Sequence, residues 1–183
     1  MKRSNLRLPD LSADVLADKF GQLFPDVVKG WREVAEARWI QEGERMPEVD
    51  LCREVGCRLR FCHPGYILVP ASLRDEAIFC SVVFHARGDF DSPGFAGRMP
   101  HGLAFADGRA AVVEKVGRPA DDETSIKDGG VALGYRGDCV GWMWHLKEYS
   151  LHVLRVVDTD LDHVVRVTWI HRASRARKAS FAR

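Results

Sequence analysis

The sequence lacks the excess of one charge and the long apolar runs that mark several classes of protein. Its 27 Lys and Arg residues are balanced by 26 Asp and Glu residues, so a net charge of +1 provides no general attraction for nucleic acid or an anionic membrane. No stretch approaches the roughly 20 apolar residues of a membrane span, and the basic residues after Met1 precede no apolar segment of a secretory signal. We therefore expect a cytoplasmic protein that binds neither nucleic acid nor membrane.

The sequence also lacks the short motifs that identify common enzymes. It contains no Gly-x-Ser-x-Gly, no His-Glu-x-x-His and no Cys-x-x-Cys. Its glycine-rich stretch at 129–137 is followed by neither Gly-Lys-Ser nor Gly-Lys-Thr, which argues against a phosphate loop. We therefore expect no enzyme activity, no catalytic residues, no cofactor and no metal.

The five cysteines are odd in number, which favours free thiols over a disulfide framework. Three of them recur every five residues and a histidine follows the last, at Cys52, Cys57, Cys62 and His63. A small metal-dependent or other enzyme domain that uses these four residues is the alternative hypothesis. Structural zinc sites usually space paired ligands more closely, and strand residues five apart point to opposite faces, so small buried hydrophobes are the favoured interpretation.

One pattern of strands occurs twice along the chain. Segments 56–61 and 78–85 have the alternation of a strand pair, and segments 149–154 and 164–171 repeat it. A helix-forming segment precedes each pair, so the sequence predicts an α+β fold of two tandem helix-plus-antiparallel-meander units joined into one body. The predicted organisation is an N-terminal unit at 1–88, a C-terminal unit at 99–171 and a basic tail at 172–183.

Three helices are predicted from their caps and apolar spacing. Ser12 is the expected N-cap of the first, and the second is expected to run from Pro25 to Ile40. A third begins after Asp107 and ends at Gly117, where glycine suits a left-handed cap and the following Pro119 cannot continue a helix.

Two groups of residues are candidates for binding a partner. Asp121, Asp122 and Glu123, with Asp128 nearby, form an acidic segment that we expect to be a loop, either simply solvated or able to attract a basic protein. Trp142 and Trp144 are two apart on a predicted strand and share one of its faces. Such a pair belongs either to the core or to an interface, where rigid aromatic side chains are enriched in binding hot spots.

The second half of the chain carries a composite pattern. It consists of residues 99–109, the helix end at 116–119, and Trp142 followed by Tyr149, Leu151 and Val153. This pattern resembles that of bacterial polymorphic-toxin immunity proteins. The helix, the Gly-x-Pro stop and the meander are also similar to the repeat of the beta-lactamase inhibitor protein and of small outer-membrane assembly lipoproteins.

The resemblance implies a cytoplasmic immunity protein whose partner is a cognate toxin secreted by sibling cells. The duplicated sheet supports the same hypothesis, because it offers a broad surface for binding another protein. A generic interaction module with a constitutive host partner is a further alternative. The sequence does not indicate the oligomeric state.

Overall fold

The structure, a computed structural model, describes residues 8–41, 46–63, 69, 71–126, 138–158 and 161–171. The helices in these ranges are α1 Ala13–Ala17, α2 Phe24–Val27, α3 Arg32–Ala37, α4 Cys52–Val55 and α5 Arg109–Val116, with short 3-10 helices at Ala71–Glu76, Asp89–Asp91 and Pro100–Gly102. The strands are β1 Trp39–Ile40, β2 Glu48–Leu51, β3 Cys57–Cys62, β4 Ile78–His85, β5 Asp122–Ile126, β6 Cys139–His145, β7 Tyr149–Asp158 and β8 Leu161–His171. The tail predicted at 172–183 lies outside the described residues.

The eight strands in the described ranges belong to one antiparallel sheet with the order β1-β2-β3-β4-β8-β7-β6-β5. Strands β1 to β4 are successive neighbours, and β5 to β8 are successive neighbours running back from the far edge. The two sets meet where β4 pairs with β8, from Ser81 opposite Ile170 to His85 opposite Arg166. The fold is therefore α+β and consists mostly of sheet.

Alternation of side chains assigns the two faces of the sheet. In β3, Cys57, Leu59 and Phe61 are buried while Arg58 and Arg60 are partly exposed, which confirms the alternating strand predicted at 56–61. On the exposed side of β2 and β3 the arginines pair with acids of the neighbouring strand, Arg58 with Asp50 at 3.1 Å and Arg60 with Glu48 at 3.0 Å.

The helices pack on the apolar face and complete one continuous core. Phe24 of α2 contacts Phe61 with ring centroids 5.3 Å apart, and Phe20, which follows α1, stacks on Phe79 at 4.8 Å. Val112 of α5 joins the same core cluster at the other end of the sheet. None of the helices in the described ranges combines the length and apolarity that crossing a bilayer requires.

The predicted helix from Pro25 to Ile40 is wrong in its extent. The chain instead forms α2, a turn, α3 and the short strand β1. Gly30 has a φ of 87°, a left-handed conformation that interrupts a right-handed helix. The predicted end of the third helix is confirmed, because Gly117 is the left-handed C-cap of α5.

The turn from α4 into β3 depends on a glycine. Gly56 has a φ of 71°, and a Cβ built there would lie 2.5 Å from the backbone nitrogen of Phe95 and 2.9 Å from the carbonyl carbon of Gly94. The segment at 94–95 therefore packs against this turn at a distance that only glycine allows.

We expect Gly56→Ala to lower the free energy of unfolding by about 2–4 kcal/mol, because backbone strain and a backbone clash act together. Gly117→Ala is the matched control, since Gly117 has a φ of 85° with nothing within 4 Å, and should cost about 1 kcal/mol. Urea denaturation of both variants measures the difference. Equal losses would show that the close approach at Gly56 carries no energetic weight.

Candidate partner-binding surface

The acidic segment lies at the edge of the sheet and is not a loop. Asp121 precedes β5, and Asp122 and Glu123 are its first two residues. The prediction of a loop is wrong, because the segment pairs with β6: Asp122 lies opposite Met143 and Glu123 opposite Trp142. The backbone hydrogen bonds of this ladder outweigh the low strand propensity of acidic residues. Asp128 lies outside the described residues.

Asp121 has a structural role at the start of this strand. Its two carboxylate oxygens accept hydrogen bonds from Arg118 at 2.8 and 2.7 Å, and one of them also accepts the backbone N–H of His145 at 2.6 Å. The bond from the His145 backbone and those from Arg118 lower the pKa of Asp121. Its charge is therefore used within the chain.

Asp122 and Glu123 are held more loosely. Asp122 lies 2.9 Å from Nε2 of His145, and Glu123 lies 3.6 Å from Arg109. The two carboxylate side chains are 60% and 50% exposed, and exposed pairs of this kind contribute only about 0–1 kcal/mol. Because the residues are consecutive in a strand, they point to opposite faces of the sheet. The edge thus carries, on each face of the sheet, a carboxylate that could replace its present partner with another at little cost.

Trp142 and Trp144 are core residues. They are 3% and 0% exposed, their rings meet edge to face with centroids 5.8 Å apart, and Nε1 of Trp144 donates to the carbonyl of Arg118 at 3.0 Å. The guanidinium of Arg155 covers the Trp142 ring at 4.5 Å. The interface alternative left open by the sequence does not fit this burial, because side chains already buried in the free chain present almost no surface to a partner.

The residues of the alternative metal site are not brought together. Cys57 is buried in the core at one end of β3, whereas Cys62 lies at the other end and is partly exposed. Cys52 faces the carbonyl of Asp89 with its sulfur 3.6 Å away, and burial raises the pKa of its thiol to about 11. Within the ranges that the structure describes, no group of three or more His, Cys, Asp or Glu side chains is placed to hold a metal ion.

A buried ionic cluster joins β4 to β8 at the end of their ladder. Asp89 is fully buried and accepts hydrogen bonds from Nδ1 of His85 at 2.7 Å and from Arg166 at 2.8 and 2.6 Å. Although burial alone would raise it, the pKa of Asp89 is lowered by these bonds. Burial lowers the pKa of His85, with Asp89 acting in the opposite direction. Sequence reasoning missed this cluster, because segment 86–99 has the composition of a linker.

The next residue of the same turn presents an aromatic ring. Phe90 and Asp91 have backbone φ angles of 52° and 60°, which residues other than glycine seldom adopt. The Phe90 ring is partly exposed and lies 4.9 Å from the guanidinium carbon of Arg58 and 4.8 Å from that of Arg166. Two cation–π contacts therefore hold this strained turn in place.

Beside Phe90 the surface forms a cavity of about 510 Å³. Its charged lining consists of opposite pairs, including Arg38 with Glu54 and Arg53 with Asp91. The charges balance within the cavity wall, so it favours neither anions nor cations as a class.

No family model and no curated protein matches the sequence. Among solved structures, the chain is similar to an extracellular protein containing a SCP domain from Bacillus anthracis, with 13% sequence identity and a TM-score of 0.48. The match covers 97% of this chain and 52% of that protein, so the chain spans about half the length of its structural neighbour.

We expect Asp89→Asn to destabilise the fold by about 3–5 kcal/mol, because it removes the carboxylate charge that binds the mostly buried Arg166 guanidinium. Asp91→Asn is the matched control in the same turn, since its pair with Arg53 is almost fully exposed on both sides and the change should stay within about 0.5 kcal/mol. Denaturant titrations measure both. A loss below 1 kcal/mol for Asp89→Asn would contradict a clamping role for Asp89.

Protonation of His85 should make stability depend on pH. The pKa of His85 is lowered in the folded chain, so the unfolded chain binds a proton first as the pH falls below about 6.5, and stability is lost from there downward. The charged groups facing the ring are Asp89, Arg166 and Arg58. We expect His85→Gln to flatten the fall in unfolding free energy between pH 7 and 5. Because the pKa of His101 is also lowered by burial, the double variant with His101→Gln should be flatter still. An unchanged slope in both variants would contradict this assignment.

Proposed function

We propose that the chain is a cytoplasmic immunity protein that binds a cognate secreted toxin and neutralises it by protein–protein interaction. One observation carries the proposal: the edge strand β5 is exposed from its first residue and bears Asp122 and Glu123 on opposite faces, in solvent-exposed contacts with His145 and Arg109 respectively. Such carboxylates can exchange their own partners for those of a basic protein at little cost. The pattern at 99–153 that resembles immunity proteins supports the same role.

We also propose that the chain is a tandem duplication of one helix-plus-meander unit. The mirrored strand order supports this, because each set of four strands forms a meander and α5 precedes the second set as α1 to α3 precede the first. A duplicated unit that shares one core would present a wide sheet to a partner.

The buried cluster of His85 and Asp89 favours binding over catalysis. A histidine whose Nδ1 is bonded to a carboxylate is the usual arrangement of a general base. The His85 ring is only 1% exposed, however, and its Nε2 is buried with no partner among the described residues. A base that no substrate can reach is better explained as part of the buried cluster of His85, Asp89 and Arg166 that joins β4 to β8.

Co-expression with the toxin encoded beside the chain's own gene tests the proposal. A toxin must be neutralised almost completely, so we expect growth to be rescued and a complex of nanomolar or better affinity to co-purify, corresponding to about −12 kcal/mol. If growth is not rescued and no complex forms, the immunity role is wrong. Capture of a constitutive host protein in place of the toxin would support the generic interaction module.

The double variant Asp122→Asn with Glu123→Gln should slow association with the toxin about tenfold at low salt and weaken its salt dependence, while dissociation changes little. Asp121 is left intact because its carboxylate anchors the strand. Asp75→Asn is the matched control, since Asp75 is half-exposed and paired with Arg32 in the other half of the chain. Stopped-flow or surface-binding kinetics at two salt concentrations measure the rates. Equal effects of the control and the double variant would locate the steering charge elsewhere.

A further inference from the structure

The two edges of the sheet differ in what they offer another strand. The edge strand β1 is only two residues long and both residues are partly buried. The opposite edge, β5, extends over Asp122–Ile126, and residues 121–125 are all exposed. Since an edge strand pairs on one side only, alternate backbone N–H and C=O groups of β5 face away from β6.

β5 carries few of the features that block strand addition. Its register with β6 runs from Asp122 opposite Met143 to Ile126 opposite Cys139 without a shift, so no bulge twists the edge away. It has no proline and no lysine, which proteins commonly use to protect an edge. Its acids occupy one end, and Thr124 to Ile126 are residues compatible with a strand.

The two acids repel an acidic strand and favour a basic one. Strand neighbours alternate between faces, so a partner strand could place one cation opposite Asp122 and a second, consecutive in its sequence, opposite Glu123. The sheet face that carries Asp122 also has a cavity of about 290 Å³, lined by Asp122, Thr124 and Gly141 among others. Gly141 places no side chain in this space. A Cβ built there would come no closer than 3.9 Å to the backbone oxygen of Thr124.

We propose that the partner binds by strand addition: an extended segment with two consecutive Lys or Arg residues pairs with β5 and continues the sheet. Main-chain hydrogen bonds then supply affinity and the two carboxylates supply selectivity. This inference rests on the proposed function, because it names how the toxin would engage the acidic edge.

Two proline variants test it. Successive residues of an antiparallel strand direct their N–H groups alternately towards and away from the neighbour, so Thr124→Pro and Ser125→Pro remove one group of each kind. Proline is tolerated on an edge where its position faces solvent. The variant that keeps the wild-type melting temperature should bind the purified toxin at least 100-fold more weakly. Ser125→Val, which retains the N–H and does not line the cavity, should bind normally.

Hydrogen exchange on the wild-type complex gives a second measurement that does not depend on a variant folding. Addition of the toxin should slow exchange of the outward-facing amides within Asp122–Ile126 at least tenfold. Unchanged exchange there, or normal binding by the folded proline variant, overturns strand addition while growth rescue leaves the immunity role standing. Failure of the wild type to rescue growth or bind the toxin would instead remove the proposed function itself.

Discussion

The pairing of β4 with β8 is the interaction on which the rest of the structure depends. Each set of four strands is a local meander, and a single ladder from Ser81 opposite Ile170 to His85 opposite Arg166 turns the two into one sheet. The core follows this ladder, because Phe84 and Val167 face each other on the side covered by helices. Asp89 closes the end of the ladder by binding one side chain from each strand.

The same arrangement separates what is buried from what can meet a partner. Helices cover the face that carries Trp142 and Trp144, so the largest aromatic side chains of the second half stabilise the fold. The opposite face carries ion pairs over β2 and β3 and a small apolar cluster of Cys139, Val156 and Val165, while the β5 edge carries exposed carboxylates. Recognition at the β5 edge would therefore depend on backbone geometry and charge more than on burying aromatic area.

Local patterns were sufficient to predict most strands, and α5 with its glycine cap, from sequence. The alternation in Cys57–Cys62 and the Gly117 stop each depend on neighbouring residues only. β5 could not be found in this way, because Asp122 and Glu123 have no apolar alternation and become a strand only through β6. The burial of Asp89 depends on Arg166, 77 positions away in the sequence, so its surroundings resemble a linker until the fold is known.

The β4–β8 ladder also bears on how the chain reaches its native state. β6, β7 and β8 are joined by short connections, so their pairing closes small loops and can form quickly. The β4–β8 ladder joins strands from the two halves of the chain, and long-range pairing of this kind is slow. Until this ladder forms, β4 and β8 are unpaired, mostly apolar edge strands of their two meanders. Each can then pair with the matching strand of another molecule, so that a meander is exchanged between chains. Delayed formation of this one ladder therefore exposes the chain to domain swapping as well as to aggregation.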